Sequence, residues 1–147
     1  MRKVAFWIIA IVTLSSLTLV PALGASQRTV AMLTPYMASV TTNQMIRAFE
    51  AESRVKGWQV ITIDTKGDFG ALASRMEDMI ARKVDAIVLA MADPNQLKDP
   101  IKKANQAKIP VLGGDAGWIP GIACNVTSNN YAMSAMMTTY LFNAIGN

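Results

Sequence analysis

The feature that most constrains the fold is a regular alternation of short apolar runs with longer stretches of helical periodicity. Four apolar runs of four or five residues have the length of buried strands, and a fifth run follows near the C-terminus. Strands that alternate with helices in this way predict an α/β fold, a doubly wound parallel sheet with helices on both faces. The predicted strands span 29–33, 59–63, 86–90, 109–112 and 121–126.

The bounds of the predicted helices come from residue types that begin or end helices. Asp68 and Asp93 have short acceptor side chains suited to cap helix N-termini, and Pro94 fits a first helical turn. Gly57 follows the first helical stretch, as glycine often does beyond a helix C-terminus. Ser128 or Asn129 can cap the last helix. The predicted helices span 41–56, 69–82, 94–107 and 129–145.

The N-terminus has the three-part layout of a secretory signal. Two basic residues precede an apolar run, 4–20, and small residues follow at 22–26. We interpret 1–25 as a signal peptide cleaved after Gly24 or Ala25, which predicts export. The alternative is a permanent membrane anchor, but the run is shorter than the ~20 residues that span a bilayer.

The composition excludes several kinds of chemistry. The chain has no histidine, which excludes Ser-His-Asp and Cys-His catalysis and any zinc site with histidine ligands. Its single cysteine excludes a thiolate cluster, and no glycine-rich phosphate or dinucleotide loop follows a strand. A carboxylate pair such as Asp64 with Asp115 stays formally open, although Asp64 is better interpreted as a loop acceptor or a solvated turn residue. We predict no enzyme, with no catalytic residue, metal or cofactor.

Charge and the lone cysteine point to no specialised role. The net charge is +4, two units of which belong to the basic residues before the apolar N-terminal run. The other basic residues are scattered along helix faces, so no nucleic-acid partner is predicted. Cys124 lies in an apolar stretch, 121–124, and is predicted to be a small buried residue.

The predicted fold limits where a ligand can bind. Open parallel sheets bind ligands beyond the carboxyl ends of their strands, where the strand order reverses. The loops to consider are therefore 34–42, 64–68, 91–93 and 113–118.

Asp115 is the leading candidate in the last of these loops. A carboxylate accepts hydrogen bonds from two neighbouring hydroxyl groups, which suits a sugar or another polyol. Glycines on both sides, Gly114 and Gly117, let a ligand approach the backbone. The alternative is an aspartate that only stabilises its own turn. Trp118 is a candidate aromatic wall of the pocket, and packing against the sheet edge is its alternative. Tyr36 could play the same part at the end of the first strand.

Several of these segments together resemble a known family. The signal layout, the alternating order, the sequence Ala-Asn-Gln-Ala-Lys-Ile-Pro-Val at 104–111, Asp115 and Thr-Ser-Asn-Asn at 127–130 resemble ribose-type periplasmic sugar-binding proteins, the substrate-binding subunits of sugar ABC transporters. The similarity covers about 28–147. It implies a type I periplasmic binding protein fold, of which this chain contains the N-terminal half.

The resemblance also implies a division of the chain. Residues 26–127 would form the first ligand-binding lobe, and 128–147 the hinge and the first helix of an incomplete second lobe. The chain is therefore interpreted as truncated or as part of a longer protein.

The resemblance implies the site residues as well. Asp115 matches the family's acceptor for sugar hydroxyls, and the segment with Ser39, Thr41 and Thr42 matches one that often supplies aromatic side chains. This chain departs from the family at both places. Thr41 and Thr42 stand where the family often has aromatic residues, and Ala116 stands where an arginine often follows the aspartate. Both departures speak against a ribose-like ligand and leave Tyr36 and Trp118 as the candidate stacking surface.

The function implied is periplasmic capture of a sugar or similar polyol for an ABC-type importer, with its membrane permease as partner. The alternative is a periplasmic sensing module that feeds a chemoreceptor or sensor kinase. Loss of uptake in a deletion strain would favour the first, and loss of taxis with normal uptake the second. A sugar-responsive repressor core needs a DNA-binding motif before the first strand, where the signal lies instead.

Overall fold

All five predicted strands occur in the computed structural model, which describes residues 27–145. The first three strands lie within one residue of their predicted bounds. The strands are β1 (Thr29–Thr34), β2 (Gln59–Asp64), β3 (Ala86–Ala90), β4 (Val111–Gly114) and β5 (Cys124–Val126). The helices are α1 (Val40–Val55), α2 (Phe69–Ala81), α3 (Lys98–Gln106) and α4 (Asn130–Ile145), and a 3-10 turn, Pro94–Leu97, precedes α3.

The strands form one parallel sheet in the order β2-β1-β3-β4-β5. The chain therefore adds β2 on one side of β1 and the later strands on the other, so the strand order reverses between β1 and β3. The carboxyl ends of all five strands lie along one edge, which we call the ligand edge. This topology confirms the predicted doubly wound sheet.

Side chains on alternate residues of the central strands point to opposite faces of the sheet. Leu33 of β1 and Leu89 of β3 belong to a core cluster that includes the buried side of α2 and α3. Met32 and Val88, one position away, belong to a second cluster with Ile46 of α1. Helices therefore cover both faces of the sheet, as predicted.

The fourth strand begins two residues later than predicted. The backbone N–H of Ile109 donates to the carbonyl of Ala104 at 2.9 Å, so Ile109 closes the end of α3. The strand then continues through Gly113 and Gly114, because its ladder with β3 extends that far. A Cβ atom on Gly113 would lie 2.3 Å from Oδ1 of Asn125, so the strand accepts only glycine there without displacing that side chain.

The predicted third helix, 94–107, is also divided in the structure. Its first four residues form the 3-10 turn, and Asp93 caps that turn through a hydrogen bond from the backbone N–H of Asn95 at 3.0 Å. The regular α-helix begins only at Lys98.

The prediction that Cys124 is buried is wrong, since its side chain is exposed. Cys124 begins β5, a three-residue strand at the edge of the sheet that pairs only with β4 in the described part of the chain. An edge strand is covered less than a central one, and an apolar stretch in the sequence does not distinguish between them.

Helix α4 begins at its predicted cap, where Oδ1 of Asn129 accepts a hydrogen bond from the backbone N–H of Ala132 at 2.9 Å. It has no buried residue, and it contains no acidic or basic side chain. Its exposed large apolar residues are Tyr131, Met133, Met136, Met137, Tyr140, Leu141, Phe142 and Ile145.

The predicted signal peptide, 1–25, lies outside the described residues. Between residues 27 and 145, none of the helices combines the length and apolarity that a bilayer crossing requires. The boundary predicted between the first lobe and the hinge at 127–128 falls between β5 and α4, and the division into lobes stays a prediction.

The hydrogen bonds at Asp93 predict a pH-dependent contribution to stability. The N–H of Asn95 is the main cause that lowers the pKa of the Asp93 carboxyl, and the side chains of Asn95 and Gln96 add to it. A lowered folded-state pKa stabilises the protein above the unfolded value, about 3.9, and this stabilisation is lost as the pH falls through the folded value. Asp93→Asn keeps a capping oxygen but removes the charge.

We therefore expect Asp93→Asn to lower the free energy of unfolding at neutral pH, with a difference from the unsubstituted protein that closes as the pH falls below the ordinary aspartate pKa. Urea denaturation at a series of pH values measures this. A difference of constant size across that range would contradict the prediction.

Candidate functional site

The ligand edge contains three residues in a backbone conformation that side chains rarely adopt. Lys66, Met91 and Asp115 have φ angles of 52°, 54° and 51°. Met91 and Asp115 directly follow β3 and β4. The other two described non-glycine residues with positive φ, Lys83 and Lys108, follow helices instead, at the opposite edge. Left-handed residues that do not end helices concentrate at functional sites, which favours the loops of the ligand edge as the functional loops.

A cavity of about 650 Å³ lies at this edge, where the strand order reverses. It is formed by the loops that follow β1, β2 and β3 and by the start of α1. The structure therefore brings three of the predicted site residues, Tyr36, Ser39 and Thr42, to one cavity. The full lining is Pro35, Tyr36, Ala38, Ser39, Thr42, Asp64, Lys66, Gly67 and Met91.

Tyr36 forms one wall of this cavity. Its ring meets Phe69, the first residue of α2, edge to face, with centroids 6.3 Å apart and planes inclined by 72°. Its backbone N–H donates to Oγ1 of the buried Thr34 at 3.1 Å. The side chain stays 46% exposed, so the ring is held on one side and open on the other.

The hydroxyl groups predicted to bind ligand already have partners. Ser39 Oγ and Thr41 Oγ1 lie 3.0 Å apart, within hydrogen-bonding distance. Thr42 is completely buried, and its hydroxyl donates to Sδ of Met91 at 3.0 Å. Thr41 is exposed and is not among the residues that line the cavity.

Asp64 acts as a loop acceptor, as expected. Its Oδ1 accepts hydrogen bonds from the backbone N–H groups of Lys66 at 3.0 Å and Met37 at 3.5 Å. Asp64 ends β2, whereas Asp115 follows β4, and β1 and β3 lie between those strands. Three strand spacings of about 4.8 Å separate the two positions by roughly 14 Å, which speaks against a carboxylate pair.

Asp115 is not among the residues that line the cavity, but it lies on the same edge of the sheet, after β4, the strand that neighbours β3. The backbone N–H of Met91, which lines the cavity, donates to the carbonyl of Gly114 at 2.8 Å. Asp115 is the residue that follows Gly114. Its own N–H donates to the carbonyl of Val126 at 2.7 Å. Its Oδ1 accepts from Oγ1 of Thr127 at 2.5 Å. In the described part of the chain, Oδ2 has no hydrogen-bonding partner.

Trp118 is 66% exposed and does not line this cavity. It lies in the loop after Asp115, next to Ile119, which faces a separate groove of about 770 Å³ along α3. Its place in a binding site stays a prediction.

Two residues near the site were not singled out in the sequence. Met91 lines the cavity, and Thr127 holds the Asp115 carboxylate. The position of Met91 directly after a predicted strand was a usable signal, since its loop was among those considered. The contact of Thr127 joins residues 12 positions apart and depends on the pairing of β4 with β5, so no local pattern indicated it.

Among residues 27–145, no group of acidic or cysteine side chains is arranged to hold a metal ion. A parallel sheet with an open cavity where its strand order reverses is the architecture of a small-molecule-binding α/β domain. Residues 30–147 match the family described as periplasmic binding protein domain. The chain belongs to that family.

Individual relatives agree with this assignment. The ribose import binding protein RbsB of Bacillus subtilis is 26% identical over 101 residues, which cover 68% of this chain and 33% of the relative. An ABC sugar transporter subunit from Rhodobacter sphaeroides has a TM-score of 0.72 at 25% identity, covering 81% of this chain and 42% of that one.

An ABC transporter solute-binding protein from Agrobacterium vitis, solved with bound allitol, has a TM-score of 0.71 at 26% identity and covers 82% of this chain and 41% of its own. The fold is that of the type I periplasmic binding proteins. The chain spans a third of the curated relative and about two fifths of these solved relatives.

Proposed function

We propose that this chain is the first ligand-binding lobe of a periplasmic solute-binding protein that captures a sugar or similar polyol for an ABC-type importer. The observation that supports it best is the cavity at the ligand edge, which lies where the strand order reverses. The Asp115 carboxylate, held by Thr127, follows β4 at the same edge. The relative solved with bound allitol and the relative named for ribose import support a sugar or polyol as the ligand class. The protein performs no chemistry on its ligand, and the membrane permease is its partner.

We also assign roles to the export signal, the lobe and the hinge of this chain. Residues 1–25 direct export to the periplasm and are removed. Residues 26–127 form the lobe, and 128–147 form the hinge and the first helix of a second lobe. The exposed apolar side chains of α4 support this division, because a helix without charged side chains is suited to a buried position.

Titration of the purified protein with a panel of pentoses, hexoses and alditols tests the proposal. One lobe removes water from only one side of a ligand, so we expect saturable binding with a dissociation constant on the order of 1 mM. Calorimetry or the fluorescence of Trp58 and Trp118, the two tryptophans outside the proposed signal peptide, follows the binding. Absence of saturable binding by every member of the panel would contradict the proposed function.

Thr127 should act as a positioning residue for Asp115. Thr127→Val keeps the shape of the side chain but removes the donor, so the carboxylate loses the partner that fixes its orientation. A single hydrogen bond of this kind corresponds to a dissociation constant raised about 3- to 10-fold. Thr127→Ser restores the hydroxyl and should restore the affinity.

A double-mutant cycle with Asp115→Asn separates positioning from a general structural effect. If Thr127 acts through the carboxylate, Thr127→Val should have little further effect on affinity in the Asp115→Asn background. An equal loss in both backgrounds, or no rescue by serine, would show that Thr127 has no positioning role.

A further inference from the structure

The loop after β2 brings one lysine, Lys66, into the lining of the cavity at the ligand edge. The backbone of this loop is fixed to the end of β1 by two hydrogen bonds. The N–H of Thr65 donates to the carbonyl of Thr34 at 3.0 Å. The N–H of Gly67 donates to the carbonyl of Pro35 at 2.8 Å. Both acceptor residues are buried, so the side chain of Lys66 extends from a well-fixed backbone.

The carboxylate of Asp64 lines the same cavity and uses only one of its oxygens within the protein. Its Oδ1 accepts hydrogen bonds from the backbone N–H groups of Lys66 at 3.0 Å and Met37 at 3.5 Å. Its Oδ2 has no hydrogen-bonding partner in the described part of the chain. Because the two N–H groups orient the carboxylate through Oδ1, Oδ2 is left as a strong acceptor for a ligand.

The ammonium group of Lys66 is available as well. The side chain is exposed, and it forms no salt bridge or hydrogen bond with another residue between 27 and 145. An ammonium group offers three donors and no acceptor, whereas a carboxylate offers acceptors only. One fixed loop therefore presents a donor and an acceptor, two residues apart, to the same cavity.

Tyr36 adds an aromatic surface to this polar pair. Its ring is held by Phe69 on one side, and 46% of the residue is exposed. A sugar carries C–H groups as well as hydroxyl groups, so it needs an apolar wall beside a few placed polar groups. The cavity contains both kinds of surface.

We infer that Asp64 and Lys66 form a ligand-binding pair that takes two neighbouring hydroxyl groups of a sugar or polyol. One hydroxyl donates to Oδ2 of Asp64, and its neighbour accepts from Nζ of Lys66. This inference rests on the proposed function and adds two specificity-determining residues inside the cavity, whereas Asp115 lies outside its lining. A ligand that lacks one of the two hydroxyls leaves one member of the pair without its partner.

Lys66→Met tests the pair with little risk to the fold, because the side chain is exposed and its length is kept. The probe is the pentose, hexose or alditol that binds the unsubstituted protein most tightly. We expect its dissociation constant to rise about 10-fold, the loss typical of a hydrogen bond to a charged group. The matched control is Lys83→Met, since Lys83 is also exposed and has a positive φ, 57°, but lies at the opposite edge. The control should bind like the unsubstituted protein.

Asp64→Asn is the second variant. An asparagine keeps the oxygen that accepts from the two backbone N–H groups, but it replaces Oδ2 by an amide nitrogen, which donates. The dissociation constant of the same probe should again rise about 10-fold or more.

Monodeoxy analogues of the probe, each of which lacks one hydroxyl, distinguish ligand contact from a structural role. At least one analogue should bind the unsubstituted protein about 10-fold more weakly than the probe. This deficit should largely disappear in Lys66→Met or in Asp64→Asn, because the partner of the missing hydroxyl is then absent from the protein. Calorimetric titration measures each affinity, and circular dichroism establishes that each variant is folded.

Unchanged affinity in the folded Lys66→Met variant would overturn the inference, and so would a deoxy deficit of the same size in all three proteins. In either case the unsubstituted protein still binds the probe, so the proposed function stands. If no pentose, hexose or alditol binds at all, the proposed function fails and this inference fails with it.

Discussion

Asp115→Asn should raise the dissociation constant for a sugar or polyol by about 10- to 100-fold, the loss typical of a hydrogen bond to a charged group. The substitution keeps the shape of the side chain but replaces a charged acceptor by an amide. Asp115 is exposed at the ligand edge, directly after β4, and its Oδ2 has no partner within residues 27–145. Neighbouring ligand hydroxyls can therefore both donate to this carboxylate.

The matched control is Asp78→Asn, an exposed aspartate on α2 whose carboxylate pairs only with Arg75 in the described part of the chain, at 3.1 Å. Surface ion pairs of this kind contribute little, so ligand affinity should not change. Calorimetric titration of both variants compares them directly. An Asp115→Asn variant that is folded and binds like the unsubstituted protein would remove Asp115 from the site.

Leu89→Ala should lower the free energy of unfolding by about 2–5 kcal/mol, the range for a buried leucine truncated to alanine. Leu89 is completely buried in β3, which lies between β1 and β4. Both neighbouring strands are hydrogen-bonded to β3, so they cannot easily move to fill the space that the side chain leaves. Urea denaturation followed by circular dichroism measures the change.

Leu141→Ala on α4 is the matched control, since it removes the same atoms from a side chain that is 56% exposed. Its cost should stay within about 0.5 kcal/mol, the usual range for surface substitutions. A cost as large as that of Leu89→Ala would mean that α4 packs against another surface in solution, which would contradict its exposed position here.

The sequence predicted the sheet well because the relevant signals are local. Apolar runs mark β1, β2 and β3, and an acceptor side chain at Asp68 caps α2 through the N–H of Ala71 at 2.8 Å. The bounds of β4 were less accurate, because a strand that passes through two glycines resembles a loop in the sequence. The close approach of Asn125 to Gly113 explains the glycine, and it is a contact between different strands.

The candidate site was predicted less completely than the sheet, because its contacts join residues that are far apart in the sequence. The sequence singled out Tyr36, Ser39 and Thr42 by their place after β1, and the structure brings them to one cavity. It did not show that Thr42 is buried with its hydroxyl on Met91, or that Thr127 reaches Asp115. These contacts join residues that are 49 and 12 positions apart.

Periodicity and end-capping residues by themselves determined that this chain forms a parallel sheet covered by helices, because both act within a few residues along the chain. The resemblance in its short motifs indicated the family. Only the tertiary structure decided the order β2-β1-β3-β4-β5, and with it the neighbours of each loop. That order separates Asp64 from Asp115, places Met91 beside Asp115, and leaves Cys124 on an exposed edge, because strand pairing depends on packing across the whole sheet.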